Sequence, residues 1–273
     1  MSSAELPTVA RYEMARGARR LRVERTAAVG EALARAAYGV WGRLTGGRPS
    51  ELLGGHDAAT GRPARVEGQW EREHLRYLAL DEDGDGWLDH VVLMAGRGFA
   101  PEEQRAMWEL RRVLVTALDT TINLTPPSFG RPEDWRDWPT FGPACEWVSA
   151  TPFIAYDTWP EFRRRGLTEE EVATLRSNAV ALGRLALEVE LRGWLASRKA
   201  TADRIVRETQ VEPYPQAAAW ALGPPRGDRN ARDKRSRRAL RVRVVFEQPV
   251  WGPLALGDLT RYGLGLFRTA NGR

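Results

Sequence analysis

Cysteine occurs once in this chain of 273 residues, at Cys145. A single thiol excludes an internal disulfide framework and any zinc cage built on thiolates. Lysine is almost as scarce: of 41 basic residues, all but Lys199 and Lys234 are arginine. No apolar run approaches the roughly 18 residues of a membrane span, and residues 1–14 hold no apolar signal-peptide core. These shortages lead to the expectation of a cytoplasmic protein with no membrane partner. Histidine is the last shortage. The chain has three, and all of them, His56, His74 and His90, fall within 35 residues.

What is present describes a globular chain. Apolar residues make up 42% and tryptophan is abundant, with 11 copies, which argues against disorder. The net charge is a modest +5, but it is unevenly spread. Arg226, Arg229, Arg232, Lys234, Arg235, Arg237, Arg238, Arg241 and Arg243 face only Asp228 and Asp233 over the same stretch. Such density suits a polyanion partner; a solvated basic loop has the same composition.

Periodicity divides the chain into two similar halves. Val9–Met14 reads as a strand, and Thr26 is placed to cap a helix whose stripe is Val29, Leu33, Ala36, Ala37, Val40, Trp41 and Leu44, ended by Gly46-Gly47. Leu52–Pro63 reads as loop. Apolar runs at His74–Leu80 and Leu88–Ala95 flank an acidic turn, the pattern of a β-hairpin. Pro101 opens a second helix, with Ala106, Leu110, Val113, Leu114 and Ala117 at helical spacing. Strand, helix, strand, strand, helix matches most of a ferredoxin-like βαββαβ unit. The proline- and tryptophan-rich stretch 125–142 reads as the connection. A second half follows: a strand at Glu146–Ala155, a capping box of Thr168 and Glu171 before a helix running toward Trp194, and strands at Arg204–Glu212 and Leu240–Phe246. A glycine-bearing turn closes the chain, Tyr262-Gly263-Leu264-Gly265-Leu266-Phe267. The expected fold is α+β: two tandem ferredoxin-like (RRM-like) domains, 1–138 and 139–273, with a C-terminal glycine-rich loop.

Three stretches carry chemistry. Asp81-Glu82-Asp83-Gly84-Asp85-Gly86 resembles the opening of a calcium loop, with Asp89 at position nine, but Val92 stands where the bidentate Glu belongs. A two-metal nuclease would need carboxylates that converge, whereas acidic residues crowded on one turn face water. A tight acidic turn is therefore the reading taken, with no metal. If the hairpin pairs with an even register sum, His74, Arg76 and His90 share a face. Neutral imidazole can take a proton from a ribose 2′-OH, imidazolium can protonate the leaving 5′-oxygen, and a nearby arginine can stabilise the phosphorane. Gly263 and Gly265 are either a backbone cradle for phosphate or a turn between strands. Two glycines are not a dinucleotide or P-loop fingerprint, so no nucleotide cofactor is expected. Cys145 reads as a small core residue.

Together these segments resemble the Cas-six-like repeat-RNA endoribonucleases of the RAMP superfamily in CRISPR–Cas antiviral defence. The nearest pattern is the C-terminal half of the fused Cascade subunit of type I-G (formerly I-U) systems. The resemblance is carried by Ala10-Arg11-Tyr12 with Val29–Ala37, Gly55-His56-Asp57, His74–Leu78, Glu82–Gly86, Leu88-Asp89-His90, Gly98-Phe99, Trp147–Phe153 and Gly263–Phe267. It implies tandem ferredoxin-like domains and metal-independent cleavage of precursor CRISPR RNA to a 2′,3′-cyclic phosphate. His56 and His74 would be acid and base, with His90 a third candidate. The basic segment 226–243, Arg76 and the glycine loop would hold the repeat RNA, and other Cascade-type subunits would be partners. Family members often carry a second histidine near the start of the hairpin, where this chain has Leu75-Arg76. The choice of catalytic pair among the three histidines therefore stays open. The fusion's Cas-five-like half is not present, so the chain is expected to be a stand-alone subunit or an excised half.

Overall fold

The computed structural model describes residues 6–15, 20–54, 75–155, 166–197, 206–215, 217, 220 and 239–270. His56, His74 and the basic residues Arg226, Arg229, Arg232, Lys234, Arg235, Arg237 and Arg238 lie outside them. The chain divides into two units, Met1–Trp138 with Arg261–Gly263, and Pro139–Thr260 with Leu264–Gly272.

The first unit is built on strands β1 (Val9–Glu13), β2 (Arg76–Leu80) and β3 (His90–Met94). One face of each packs on the helical core, and the opposite face is buried as well at Val9, Leu78, Leu80 and Val92. Tyr12 stands opposite Val91, Ala10 opposite Leu93, Tyr77 opposite Leu93 and Ala79 opposite Val91. Because strand side chains alternate faces, these six point to one side, where they join Val29, Leu33, Val40 and Trp41 in one buried cluster. Those four come from helix α1 (Thr26–Thr45), which ends where Gly46 takes a left-handed conformation at φ 66°, a site that costs glycine no side-chain clash. Each such buried aliphatic side chain contributes about 1.5–3 kcal/mol. Tyr12 and Tyr77 bury their rings, yet their hydroxyls still donate to Met107 O and Leu53 O at 2.8 and 3.0 Å. The carbonyl of Leu53 belongs to a short helix, α2 (Glu51–Gly54), inside a stretch expected to be loop.

Thr26 does not cap α1. Arg25 holds that position with no side-chain cap, while the buried Thr26 hydroxyl donates to Ala79 O on β2 at 2.6 Å. A side chain of capping type thus ties helix to sheet instead.

The second helix is shorter than its spacing predicts. α3 (Pro101–Glu109) begins at the expected proline, with Glu103 accepting from the Ala100 N–H at 2.8 Å. It stops before Leu110. β4 (Arg112–Val115) then pairs with β5 (Thr120–Asn123) as a hairpin. Val113 and Val115 are buried while Leu114 is 59% exposed. The apolar residues there follow a period of two, and β-branched valines favour that geometry. Over four residues a period of two and one of 3.6 overlap.

The connection 125–142 also holds a strand. β6 (Ser128–Gly130) pairs antiparallel with β1, Ala10 opposite Phe129. The sheet order is β2-β3-β1-β6.

In the second unit, β7 (Ala144–Ser149) and β8 (Phe153–Ile154) are separate strands, interrupted where the Ala150 and Thr151 N–H groups both donate to Leu266 O. α4 (Glu169–Ser177) starts at the expected capping box, with Thr168 Oγ1 accepting from Glu171 N and Glu171 Oε2 accepting from Thr168 N. The expected single helix breaks at Asn178, whose Oδ1 accepts from Ala181 N and starts α5 (Ala179–Ser197). β9 (Val206–Pro213) and the long β10 (Ala239–Val250) follow, then β11 (Phe267–Thr269). β10 is central: β9 flanks one side, β7 and β8 the other, and β11 lies beyond β7. Leu240, Val242, Val244 and Phe246 are buried along it, and the Phe246 ring lies 6.0 Å from Trp194 of α5. Cys145 is exposed, contrary to the core role expected. On β7 the inward position falls to Trp147, and Cys145 is two residues away on a less covered part of the strand.

Candidate functional site

The hairpin pairs with Leu80 opposite His90 and Arg76 opposite Met94. The register sum is even, so Arg76 and His90 lie on the same face. On β1, Arg11 sits opposite Val92 and Glu13 opposite His90, which brings Arg11 to that face as well. The face opposite the helices therefore carries a cation from each of three neighbouring strands.

His90 is not a solitary imidazole. Its Nδ1 lies 2.9 Å from Glu82 Oε2 and 3.0 Å from Asp89 Oδ1. Arg11 grips the same Glu82 through Nη2 at 2.6 Å and Nε at 3.3 Å. The Glu82 side chain is wholly buried and that of His90 is 14% exposed. Trp138 covers the group, with its ring 4.6 Å from the Arg11 guanidinium carbon and 5.9 Å from the imidazole. Burial acts against the imidazolium, but the close approach of Asp89 and Glu82 and the charge of Glu82 outweigh it, so the His90 pKa is pushed up to about 9 despite Arg11. Two cations and two carboxylates thus close on one another at neutral pH. Breaking such a buried set by removing one member typically costs about 3–5 kcal/mol.

Neither Arg11, Glu82 nor Trp138 was singled out chemically from the sequence. The signal was there in part: Glu82 and His90 lie at opposite ends of one hairpin turn.

The acidic turn binds itself. Asp81 accepts from the Gly84 and Gly86 N–H groups at 2.8 and 2.9 Å, Asp83 from Asp85 N at 3.1 Å, and Asp85 from Trp87 N at 2.9 Å. These are Asx-type contacts, which favour tight turns. Among the described residues, Asp81, Asp83 and Asp85, and separately Glu82, Asp89 and His90, bring three potential ligand atoms within 4.8 Å of one another. In both groups the oxygens already serve backbone amides, Arg20, Arg11 or His90.

The other expected RNA contacts fare differently. Arg243 pairs with Glu146 at 2.6 Å and Glu208 at 3.3 Å, and Arg241 reaches Glu212 at 3.5 Å. The exposed face of β10 is therefore compensated by carboxylates on β7 and β9. Gly263 lies against α1 and β2 of the first unit: a Cβ there would stand 3.1 Å from Thr26 Cγ2 and 3.6 Å from Ala79 N. Gly265, in the second unit, donates its N–H to Pro152 O at 2.8 Å, and a Cβ would stand 1.8 Å from Leu256 O. Close backbone approach, not a spare amide, is what Gly265 supplies.

No protein-family model matches the chain, and no curated protein does. Solved structures similar to it include two CRISPR proteins. One is a CRISPR RNA processing endoribonuclease, Cas6b, 9% identical, with a TM-score of 0.35 over 96% of this chain and 99% of that one. The other is a CRISPR associated protein, Cas6, 9% identical, with a TM-score of 0.42 over 97% and 99%. No residue role passes from either to this chain. Among the described residues no helix is long and apolar enough to cross a membrane.

Proposed function

We propose that this protein is a Cas-six-like endoribonuclease that cleaves CRISPR repeat RNA in precursor transcripts, in the cytoplasm. The observation that carries the reading is the pairing of β3 with β2 and β1, which sets Arg76, Arg11 and His90 on one face of a β-sheet. The fold supports it. In chain order the first sheet runs 2-3-1-4 (β2-β3-β1-β6), and β9-β10-β7-β11 in the second follows the same order. That is the order of a ferredoxin-like βαββαβ unit, so two domains are taken, 1–138 and 139–273, although residues 261–263 of the glycine-bearing end belong to the first unit.

The reaction needs no metal. A base removes the 2′-OH proton, the oxygen attacks the adjacent phosphorus, the P–O5′ bond breaks, and an acid protonates the leaving 5′-oxygen. The products are a 2′,3′-cyclic phosphate and a 5′-hydroxyl. An imidazole with a pKa near 9 is cationic at neutral pH, so His90 is unsuited to the base role. His56 or His74 takes that role, and His90 with Arg11, closed by Glu82 and Asp89, orders the hairpin. Arg76 and the basic residues of the segment 226–238 hold the RNA, while Arg241 and Arg243 stay with their carboxylate partners.

The second reading is a non-catalytic subunit that caps a Cascade-type complex on CRISPR RNA. The closure of His90 by Glu82 and Asp89 favours it, since a histidine so engaged serves structure. One experiment separates the two: incubation with the repeat RNA of the adjoining array in EDTA, with product ends mapped. Cleavage in EDTA, lost on 2′-deoxy substitution before the scissile phosphate and reduced about 10²–10⁴-fold in His56→Ala or His74→Ala, supports the nuclease. A 2′-deoxy substrate that is still cut refutes the mechanism. Tight binding without cleavage supports the capping subunit, and loss of cutting on chelation alone points to metal chemistry.

A further inference from the structure

The chain entering α1 and the far end of the hairpin form a second constellation. Leu88 N–H donates to Leu21 O at 2.8 Å and Val23 N–H to Gly86 O at 3.1 Å, with Arg22 bridged to Trp87. Residues 21–23 thereby lie against the hairpin through a single bridge at Arg22–Trp87, and the backbone around Trp87 is held by these bonds. The guanidinium carbons of Arg22 and Arg20 lie 4.9 and 5.3 Å from the Trp87 ring centroid. Together with Arg25, Leu21 and Leu118 these residues line a concavity of about 460 Å³.

Its charge is not balanced. Arg20 pairs with Asp85 at 2.5 Å, and Arg22 meets Glu24 only at 3.6 Å. Arg25 is exposed and has no carboxylate partner among the described residues. The concavity therefore combines an apolar floor, planar groups layered on an indole, and a spare cation. An acidic peptide would use the charge but leave the planar layer and the apolar floor idle. A nucleotide uses all three: a base stacks on aromatic and guanidinium planes, and its phosphate meets arginine. The volume falls in the range of small-ligand pockets, about 300–1,000 Å³.

We propose that this concavity binds one nucleotide, with its base stacked on the Trp87–arginine layer and its phosphate on Arg25. The nucleotide comes either from a single-stranded RNA segment or from a free mononucleotide. Only the choice of RNA as source rests on the proposed function. None of the residues lining it is one of the three histidines or belongs to the basic segment 226–243.

The test uses the full chain, a labelled hexa-adenylate RNA, its abasic counterpart and AMP, with affinity followed by fluorescence anisotropy and calorimetry. Hexa-adenylate is expected to bind, to lose roughly tenfold or more in Trp87→Ala, and to keep most of its affinity in Trp87→Phe. Arg25→Ala is expected to flatten the dependence of log affinity on log salt by about 0.7, the value of one phosphate on a single strand. Tight binding of hexa-adenylate with weak AMP binding identifies the RNA strand as source, and comparable AMP affinity identifies the free nucleotide. Equal binding of the abasic strand, no binding of either ligand, or affinity unchanged in Trp87→Ala overturns the proposal. Repeat-RNA cleavage, measured separately, fails or stands independently of these outcomes.

Discussion

Titration of His90 links the charge network to stability in a way that can be measured directly. The folded protein holds the imidazolium up to a pKa of about 9, against an ordinary value of 6.5. A group whose folded pKa is raised stabilises the native state fully below its unfolded value and loses that contribution as pH climbs through the folded one. The window is therefore pH 6.5 to 9, and stability falls across it. At about 1.4 kcal/mol per pH unit, the ceiling is about 3.5 kcal/mol; partial solvent access screens this to about 1–2 kcal/mol. Urea unfolding at pH 6, 7, 8 and 9.5 reads the effect. The stability gap between the wild type and His90→Gln is expected to be widest at pH 6 and to close toward pH 9.5. With three histidines in the chain, an NMR titration of the imidazole Cε1–H signals gives the second readout, assigned by the same variant. A His90 midpoint at or below 7, or a gap that stays constant across the window, refutes the network as described.

Other substitutions test the packing. Gly30 on α1 leaves no room for a Cβ, which would stand 2.7 Å from the carbonyl oxygens of Tyr77 and Tyr262; because those are backbone atoms, Gly30→Ala should cost about 1–3 kcal/mol, seen as a lowered Tm. Thr168→Ala removes the α4 cap and should cost about 1 kcal/mol, with no change in RNA binding. Leu114→Glu should leave stability within about 0.5 kcal/mol, because the side chain is exposed on β4; a large loss by thermal melting would return Leu114 to a buried helical stripe.

Much of the local structure was legible because its signals are short-range. The start of α3 at Pro101 and the Thr168 capping box depend on neighbours a few residues away, and the hairpin takes the even register on which a shared face for Arg76 and His90 was conditional. Register in particular is set by which alternate residues are apolar, and a slip by one would turn Tyr77 and Leu93 to the wrong face. Errors came where two local readings compete. The strand Arg112–Val115 shares its apolar residues with a helical stripe, and Thr26 has a capping side chain that tertiary contact diverts to Ala79. Ser128–Gly130 carries no strand signal of its own and becomes one only because β1 offers an open edge.

Residue types and spacing established that histidine is rare and clustered, that the acidic turn is a turn, and that arginine is the cation of choice. They could not establish charge states. Whether His90 is a free base or a clamped cation depends on Glu82 and Asp89 closing on it and on Arg11 arriving from a strand some 70 residues away in the chain. Likewise, the arginines of β10 read as RNA contacts until the sheet sets Glu146, Glu208 and Glu212 beside them. Electrostatic partners are chosen by distance in space, at a few ångströms and in a partly dry environment. Only the folded chain fixes those distances.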